Sequence, residues 1–278
     1  MRRALLRPLP GRPALVISRT KRGEEPIVVV ADLHLGLGAR ESTPGGPPEG
    51  SAESLATELV AAAHEAPATR FVIAGDVKHP IVGVPRALRP VLFDFFSHLL
   101  ESGMDVELVL GNHDVGIVPH LPREVVVHGA GGVVRNGVGI FHGHRWPSDD
   151  VLAAPALVAG HLHPGYRFAP TPRDPTGKRR CWVRVEPVAR RPEPSGRWRH
   201  APLQAREVVI LPAFNPLAGT EALNREAPRR SRSFLYQRFL TTGPARVFLL
   251  DGTDVGRLPM PLAQLRPTPR AKVTGSDR

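Results

Sequence analysis

Five apolar runs in this chain each stop abruptly at side chains that bind metals and phosphate. Val28-Val29-Val30 leads to Asp32 and His34, and Phe71-Val72-Ile73 leads to Asp76 and His79. Val109-Leu110 leads to Asn112, His113 and Asp114, Ile140-Phe141 to His142 and His144, and Leu157-Val158-Ala159 to His161 and His163. Buried polar groups need partners, and any one such ending is also what a self-bonded turn or a satisfied core histidine looks like. Seven of the 12 histidines fall at these ends beside a carboxylate or an amide, which points to one shared site. His64, His98, His120, His128 and His200 lie apart and read as ordinary histidines. The set contains imidazole, carboxylate and carboxamide but no thiolate, which favours Mn, Fe or Zn over a structural zinc site of the cysteine type. It also exceeds what one tetrahedral ion needs. Two ions about 3.5–4 Å apart, sharing one carboxylate, would use it, and such a pair acidifies water and clamps a phosphoryl group. Hydrolysis of a phosphate ester is the reaction class that follows.

The elements that must position these residues alternate. Residues 26–30 form a continuous β-branched run, predicting a strand buried on both faces. Asp32 and His34, two apart, are expected to point the same way off its end. Ser51 suits the cap of a helix reaching about His64, with Leu55, Leu59 and Ala62 on one face. Residues 85–101 read as a second helix through Leu92, Phe95, Phe96, Leu99 and Leu100, stopped at Gly103. Strands are expected at 70–74, 105–110, 124–128, 132–141 with an Asn136-Gly137 hairpin turn, 156–159, 207–211 and 245–250. Strand and helix alternating in this way predict an α/β layered fold with ligands gathered at the carboxyl ends of the strands. A basic extension is expected over residues 1–25, containing one short strand near Ala14 to Ser18, and a single domain over 26–258. Within that domain an Arg/Pro-rich, mostly exposed insert spans about 169–206, with a possible strand at Cys181 to Val185. A basic irregular stretch spans about 222–243, and the tail 259–278 reads as disordered.

A chain of 278 residues with 41% apolar content has the composition of a globular protein. No apolar run approaches the roughly 20 residues that cross a bilayer, and the N-terminus lacks the apolar segment of a secretory signal. A single cysteine, Cys181, fits a reducing compartment, so a cytoplasmic location and no membrane partner are expected. The formal charge of +11 permits a nucleic-acid partner through counterion release. Arginine supplies most of it, however, and much of it lies in Pro-rich segments outside the motifs.

In order and spacing, Asp-x-His, Gly-Asp, Gly-Asn-His-Asp, His-Gly-His and Gly-His-x-His over residues 32–163 resemble the five blocks of the calcineurin-like metallophosphoesterases. Ala31 to Gly36, Gly75-Asp76-Val77-Lys78-His79, His163-Pro164 and Leu211-Pro212-Ala213-Phe214-Asn215-Pro216 are similar to the SbcD-related branch that includes ligase-associated PdeM-type endonucleases. The resemblance implies a four-layer α/β/β/α sandwich. It implies that Asp32, His34 and His163 hold one divalent ion, Asn112, His142 and His161 a second, and that Asp76 bridges them. Manganese is the expected metal, with iron or zinc as alternatives. His113 would act over the phosphate with Asp114 orienting its ring, and His79 would contact the phosphate side; His144 is left open between ligand and support. The substrate expected is a phosphodiester of DNA or RNA, in a repair role and with a repair-complex partner. Two rivals are hydrolysis of a small nucleotide and a non-catalytic nucleic-acid-binding protein on the same scaffold.

Overall fold

The computed structural model describes residues 5–18, 24–37, 49–172, 174–187, 203–224, 235, 240 and 244–258. The N-terminal half builds one sheet from β1 (Leu6–Pro8), β2 (Leu15–Ile17), β3 (Ile27–Val30), β4 (Arg70–Ile73), β5 (Asp105–Val109) and β6 (Val126–His128), in that spatial order. β3 to β6 are parallel, and β1 and β2 fold back antiparallel at the edge. The C-terminal half builds the second sheet from β7 (Val133–Arg135), β8 (Val138–Phe141), β9 (Ala156–Ala159), β10 (Pro164–Arg167), β11 (Lys178–Val185), β12 (Val208–Ile210), β13 (Glu221–Ala222), β14 (Ala245–Leu249) and β15 (Asp254–Arg257). Its spatial order is β13-β10-β11-β12-β9-β8-β7, with β14 on β11 and β15 on β14, and β8, β9 and β12 are mutually parallel.

Period-2 burial decides the layers. Ile27, Val29, Val72 and Val109 face Ile140, Val158, Trp182 and Val209 of the other sheet, making the central core. Val28, Val30, Phe71, Ile73 and Leu108 point the opposite way, beneath α1 (Ala52–Glu65) and α2 (Leu88–Glu101). Leu157, Ala159, Val183, Val208 and Ile210 point outward from the second sheet. They are covered by the four-residue α3 (Asp149–Leu152) with Ala205, Leu235 and Leu240. The result is the α/β/β/α sandwich in a single domain, with its last layer thin. Among the described residues no helix is long and apolar enough to cross a membrane.

Ser51 caps α1 by accepting from Ser54 N at 3.2 Å. α2 starts at Leu88 rather than Pro85, because residues 85–87 are used in a turn closed by Leu88 N to Pro85 O at 2.9 Å. Asn136 and Gly137 take positive φ of 46° and 72°, as a two-residue hairpin requires. The segment read as a basic extension contributes β1 and β2, because Leu15 and Ile17 fill the central core. Much of the supposed exposed insert is likewise structural: the strand expected at Cys181 begins three residues earlier and pairs with β10, β12 and β14. Trp182 is 2% exposed in the central core, as its size favours. Residues 188–202, most of 225–243 and the tail 259–278 lie outside the described residues.

One buried charge closes the sandwich edge. Glu107 of β5, 4% exposed, receives a forked pair from Arg135 Nε at 2.9 Å and Nη2 at 2.7 Å, and lies 2.6 Å from His128 Nε2. Burial opposes its ionisation, but the bonds from Arg135 and His128 hold its carboxyl below the ordinary 4.5. A depressed carboxyl pKa stabilises the fold above the unfolded value, and this contribution is lost as pH falls through the folded value. Glu107→Gln is therefore expected to cost about 2–4 kcal/mol at pH 7. In urea titrations the gap between variant and wild type should close below pH 4.5; an equal gap at pH 3 and pH 7 would refute the assignment.

Candidate metal centre

Because β3, β4 and β5 are parallel, and β8, β9 and β12 likewise, all five polar endings emerge on one rim of the sandwich. They are not simple continuations of the strands. Asp32, His34, Asp76, His161 and His163 all take left-handed backbone, with φ of 60°, 44°, 55°, 74° and 42°. For side chains other than glycine this conformation costs on the order of 1–3 kcal/mol each, and it persists only where surroundings enforce it. The pairing of Asp32 and His34 thus comes from a curled loop, not from strand alternation. A ladder beyond the strand ends supplies the enforcement: Asp32 N donates to Gly75 O at 3.0 Å, His34 N to Asp76 O at 2.9 Å and Leu35 N to Val77 O at 2.6 Å. Glycine is required where these loops touch. A Cβ on Gly75, φ +90°, would lie 2.5 Å from His142 Nδ1, and one on Gly160 would lie 2.5 Å from Ala31 Cβ.

The two carboxylates are 0% and 2% exposed, at Asp32 and Asp76, and each is tethered by a backbone N–H from another motif. His161 N donates to Asp32 Oδ2 at 3.0 Å, and His113 N donates to Asp76 Oδ1 at 2.8 Å. The second oxygen of Asp76 is left to the imidazoles, with His142 Nε2 at 3.2 Å, His113 Nε2 at 3.8 Å and His34 Nε2 at 3.9 Å. Ligand atoms of Asp32, His34 and His163 fall within 4.8 Å of one another. The same spacing unites Asp76, His142 and His161, and also His34, His79 and His113. Asn112 Oδ1 adjoins the second group, 3.2 Å from His142 Nε2.

This donor set fits a cation. His34 Nε2 and His163 Nε2 confront each other at 3.2 Å, with Asp32 Oδ1 3.3 Å from the latter. Two ring nitrogens and a carboxylate oxygen converging in this way call for a shared positive charge. Burial and neighbouring charge divide the imidazoles of the site. Burial pushes His34 and His161 down to about 4, the neutral form that can ligate. Burial also opposes charge on His142, yet its hydrogen bond to Asp76 lifts it to about 9. Burial resists ionisation of Asp76, but His142 holds its carboxyl well below the usual range.

The remaining sequence candidates divide. His113 stands on the rim with its Nδ1 against the His79 carbonyl, and its ring stacks on His79 with centroids 5.9 Å apart. Asp114 is occupied otherwise than expected. Its carboxylate accepts from Asp76 N at 2.8 Å, Val77 N at 2.9 Å and Gly111 N at 2.9 Å, so it shapes the Asp76 turn, and the His79 carbonyl orients the His113 ring. His144 lies outside the three groups, 5.3 Å from His142 by ring centroids, and its buried Nδ1 has no hydrogen-bond partner.

Residue-by-residue reading assigned no role to Asn215 or Arg180. Asn215, 0% exposed, donates from Nδ2 to Leu33 O at 2.8 Å and Gly50 O at 3.3 Å, bracing the Asp32–His34 loop from above. Arg180 Nη1 donates to Ala213 O at 3.1 Å and Phe214 O at 2.8 Å, fixing the segment that carries Asn215. The available signal was an amide closing the apolar run Leu211-Pro212-Ala213-Phe214, the same pattern as the other five endings.

Comparison with known proteins adds the family. The calcineurin-like phosphoesterase model matches residues 25–227. Among solved structures, a nuclease MPE from Pseudomonas putida is similar at 18% identity and a TM-score of 0.48, the match covering 89% of this chain and 98% of that one. No curated protein matches the chain. The family match spans the five motifs and the strands β3 to β13 that converge on the histidine-lined rim, and the chain belongs to the calcineurin-like phosphoesterases, metal-dependent hydrolases of phosphate esters.

Proposed function

We propose that this protein hydrolyses phosphodiester bonds of nucleic acid at a two-metal centre, with Asp32, His34 and His163 holding one ion, Asn112, His142 and His161 the other, and Asp76 shared. The observation that carries the reading is the convergence of three ligand groups on one rim, the third of which, His34, His79 and His113, adds imidazoles beyond those that two ions need. Manganese is the metal expected for this oxygen and nitrogen set, with iron or zinc as alternatives. When bound, the pair supplies the charge that acidifies the attacking water and screens the phosphoryl oxygens. The chain's own residues do the rest. With Nδ1–H of His113 donating to the His79 carbonyl, Nε2 is the atom left for the substrate, and when the ring carries a proton on both nitrogens it can give the Nε2 proton to the leaving oxygen or a hydrogen bond to the phosphate. His79, exposed beside it, is placed to meet a phosphodiester from the open side. Buried Asp114 holds the turn that presents Asp76. A role in nucleic-acid repair in the cytoplasm, with a repair-complex partner, rests on the resemblance to the SbcD-related branch and is part of the same proposal.

Metal-stripped protein re-supplied with Mn²⁺ should turn over bis-p-nitrophenyl phosphate and single-stranded DNA in preference to p-nitrophenyl phosphate, with DNA turnover falling steeply as salt rises. His113→Ala should lose about 100-fold or more in kcat while binding Mn²⁺ as the wild type does. Failure to hydrolyse any of the three substrates with metal bound would overturn the proposal, and a salt-insensitive preference for the monoester would replace it with a small-nucleotide hydrolase.

The Asn215 side chain touches none of the proposed ligand atoms but braces the loop that carries Asp32 and His34, so Asn215→Ala should weaken Mn²⁺ binding by about tenfold or more in calorimetric titration. Unchanged Mn²⁺ affinity would make Asn215 a purely structural residue.

A further inference from the structure

The longest strand of the second sheet runs past the rim. Val183, Arg184 and Val185 of β11 pair with Ile210, Val209 and Val208, so residues 178–182 continue beyond the carboxyl end of β12, on the side where the candidate ligands emerge. At about 3.3 Å per residue, this overhang is roughly 15 Å long. Its buried base, Cys181 and Trp182, pairs with Leu249 and Phe248 of β14, and its tip pairs with β10, which starts at Pro164, immediately after His163, and sets Gly165, Tyr166 and Arg167 against Arg180, Arg179 and Lys178. The resulting hairpin is a wall standing at the edge of the metal centre.

Its two faces differ. Strand alternation puts Arg167 and Lys178 on the face of Arg180, which reaches the Ala213 and Phe214 carbonyls beside the Asp32 loop. Arg167 and Lys178 are directly opposite each other, an arrangement of like charges that destabilises a sheet. Neither forms an ion pair among the described residues, and the buried Nε of Arg167 has no hydrogen-bond partner. Asn224 fixes the Arg167 backbone, donating from Nδ2 to its carbonyl at 2.8 Å and accepting from its N–H at 2.9 Å, while the guanidinium stays uncommitted. On the other face the Arg179 guanidinium lies 5.7 Å from the Phe168 ring centroid, and Phe168 is 39% exposed.

We propose that this hairpin is the docking wall for the nucleic-acid strand, Arg167 and Lys178 holding backbone phosphates next to the one cleaved. The inference rests on the nucleic-acid reading above and extends it to residues outside the metal motifs. Two opposed cations without acidic partners fit a polyanion that continues past the centre. A phosphate small enough to sit wholly within the histidine rim has no need of them.

The test compares Arg167→Ala/Lys178→Ala with the wild type on single-stranded DNA and on bis-p-nitrophenyl phosphate, both with Mn²⁺, across a salt series. The ratio of DNA to diester kcat/KM is expected to fall about 10- to 100-fold, chiefly through KM, and the log–log salt slope for DNA to shrink by about one to two. Unchanged DNA turnover and salt slope in the variant, beside a salt-sensitive wild type, would overturn the wall while leaving the nuclease reading intact. A proportional loss on both substrates would assign the pair to the centre itself and also overturn it. Diester turnover without any DNA turnover by the wild type would remove the nucleic-acid reading, and the wall with it.

Discussion

Two carboxylates held almost entirely out of water are the constraint around which this molecule is built. Asp32 and Asp76 are 0% and 2% exposed, and an ion so buried is tolerable only if opposite charge and hydrogen bonds surround it. Each spends oxygen on a backbone N–H borrowed from a distant motif and turns the remainder toward imidazoles. The left-handed turns, the glycines packed without room for a Cβ and the buried Asp114 all serve that arrangement. The strain they store is borne by the parallel strands on either side, whose ladder continues into the loops as Asp32 N to Gly75 O and Leu211 N to Ala159 O.

This explains why the centre joins the two halves of the chain. Asp32, Asp76, Asn112 and His113 come from the first sheet, and His142, His161 and His163 from the second. The apolar core between the sheets sets their separation, and a shift of one sheet against the other would pull His163 from Asp32 and His142 from Asp76. Phe214 N to Ala31 O at 2.9 Å and Asn215 N to Asp32 O at 3.3 Å fasten the sheets directly at the rim. At an outer edge the Glu107–Arg135 fork does the same between β5 and the β7–β8 hairpin. Stability and site geometry therefore depend on the same contacts.

The motifs themselves were legible because chemistry of this kind is written locally: an apolar run that stops at Asp-x-His or Gly-Asn-His-Asp carries both the strand and its polar end. Both long helices were legible from Leu and Phe spacing, the first within a residue at each end. Burial on both faces made β3 legible, since only a strand between two layers reads Ile-Val-Val-Val without a polar side.

What the tertiary structure alone decided lies in contacts between residues far apart in the chain. Asp114 and the backbone of Asp76 are 38 positions apart, Asn215 and Leu33 182 apart, and no local pattern signals either bond. The short strands β1, β10, β13 and β15 carry little apolar signal of their own and form because a neighbour offers an unpaired edge. The left-handed backbone at five candidate ligands was equally hidden, because side chains other than glycine take it only when packing and hydrogen bonds from several motifs compel them. Residue types and their order determined which chemistry the chain could perform; the meeting of two sheets determined where seven side chains stand, since only a fold can bring charges from separate strands into one desolvated space.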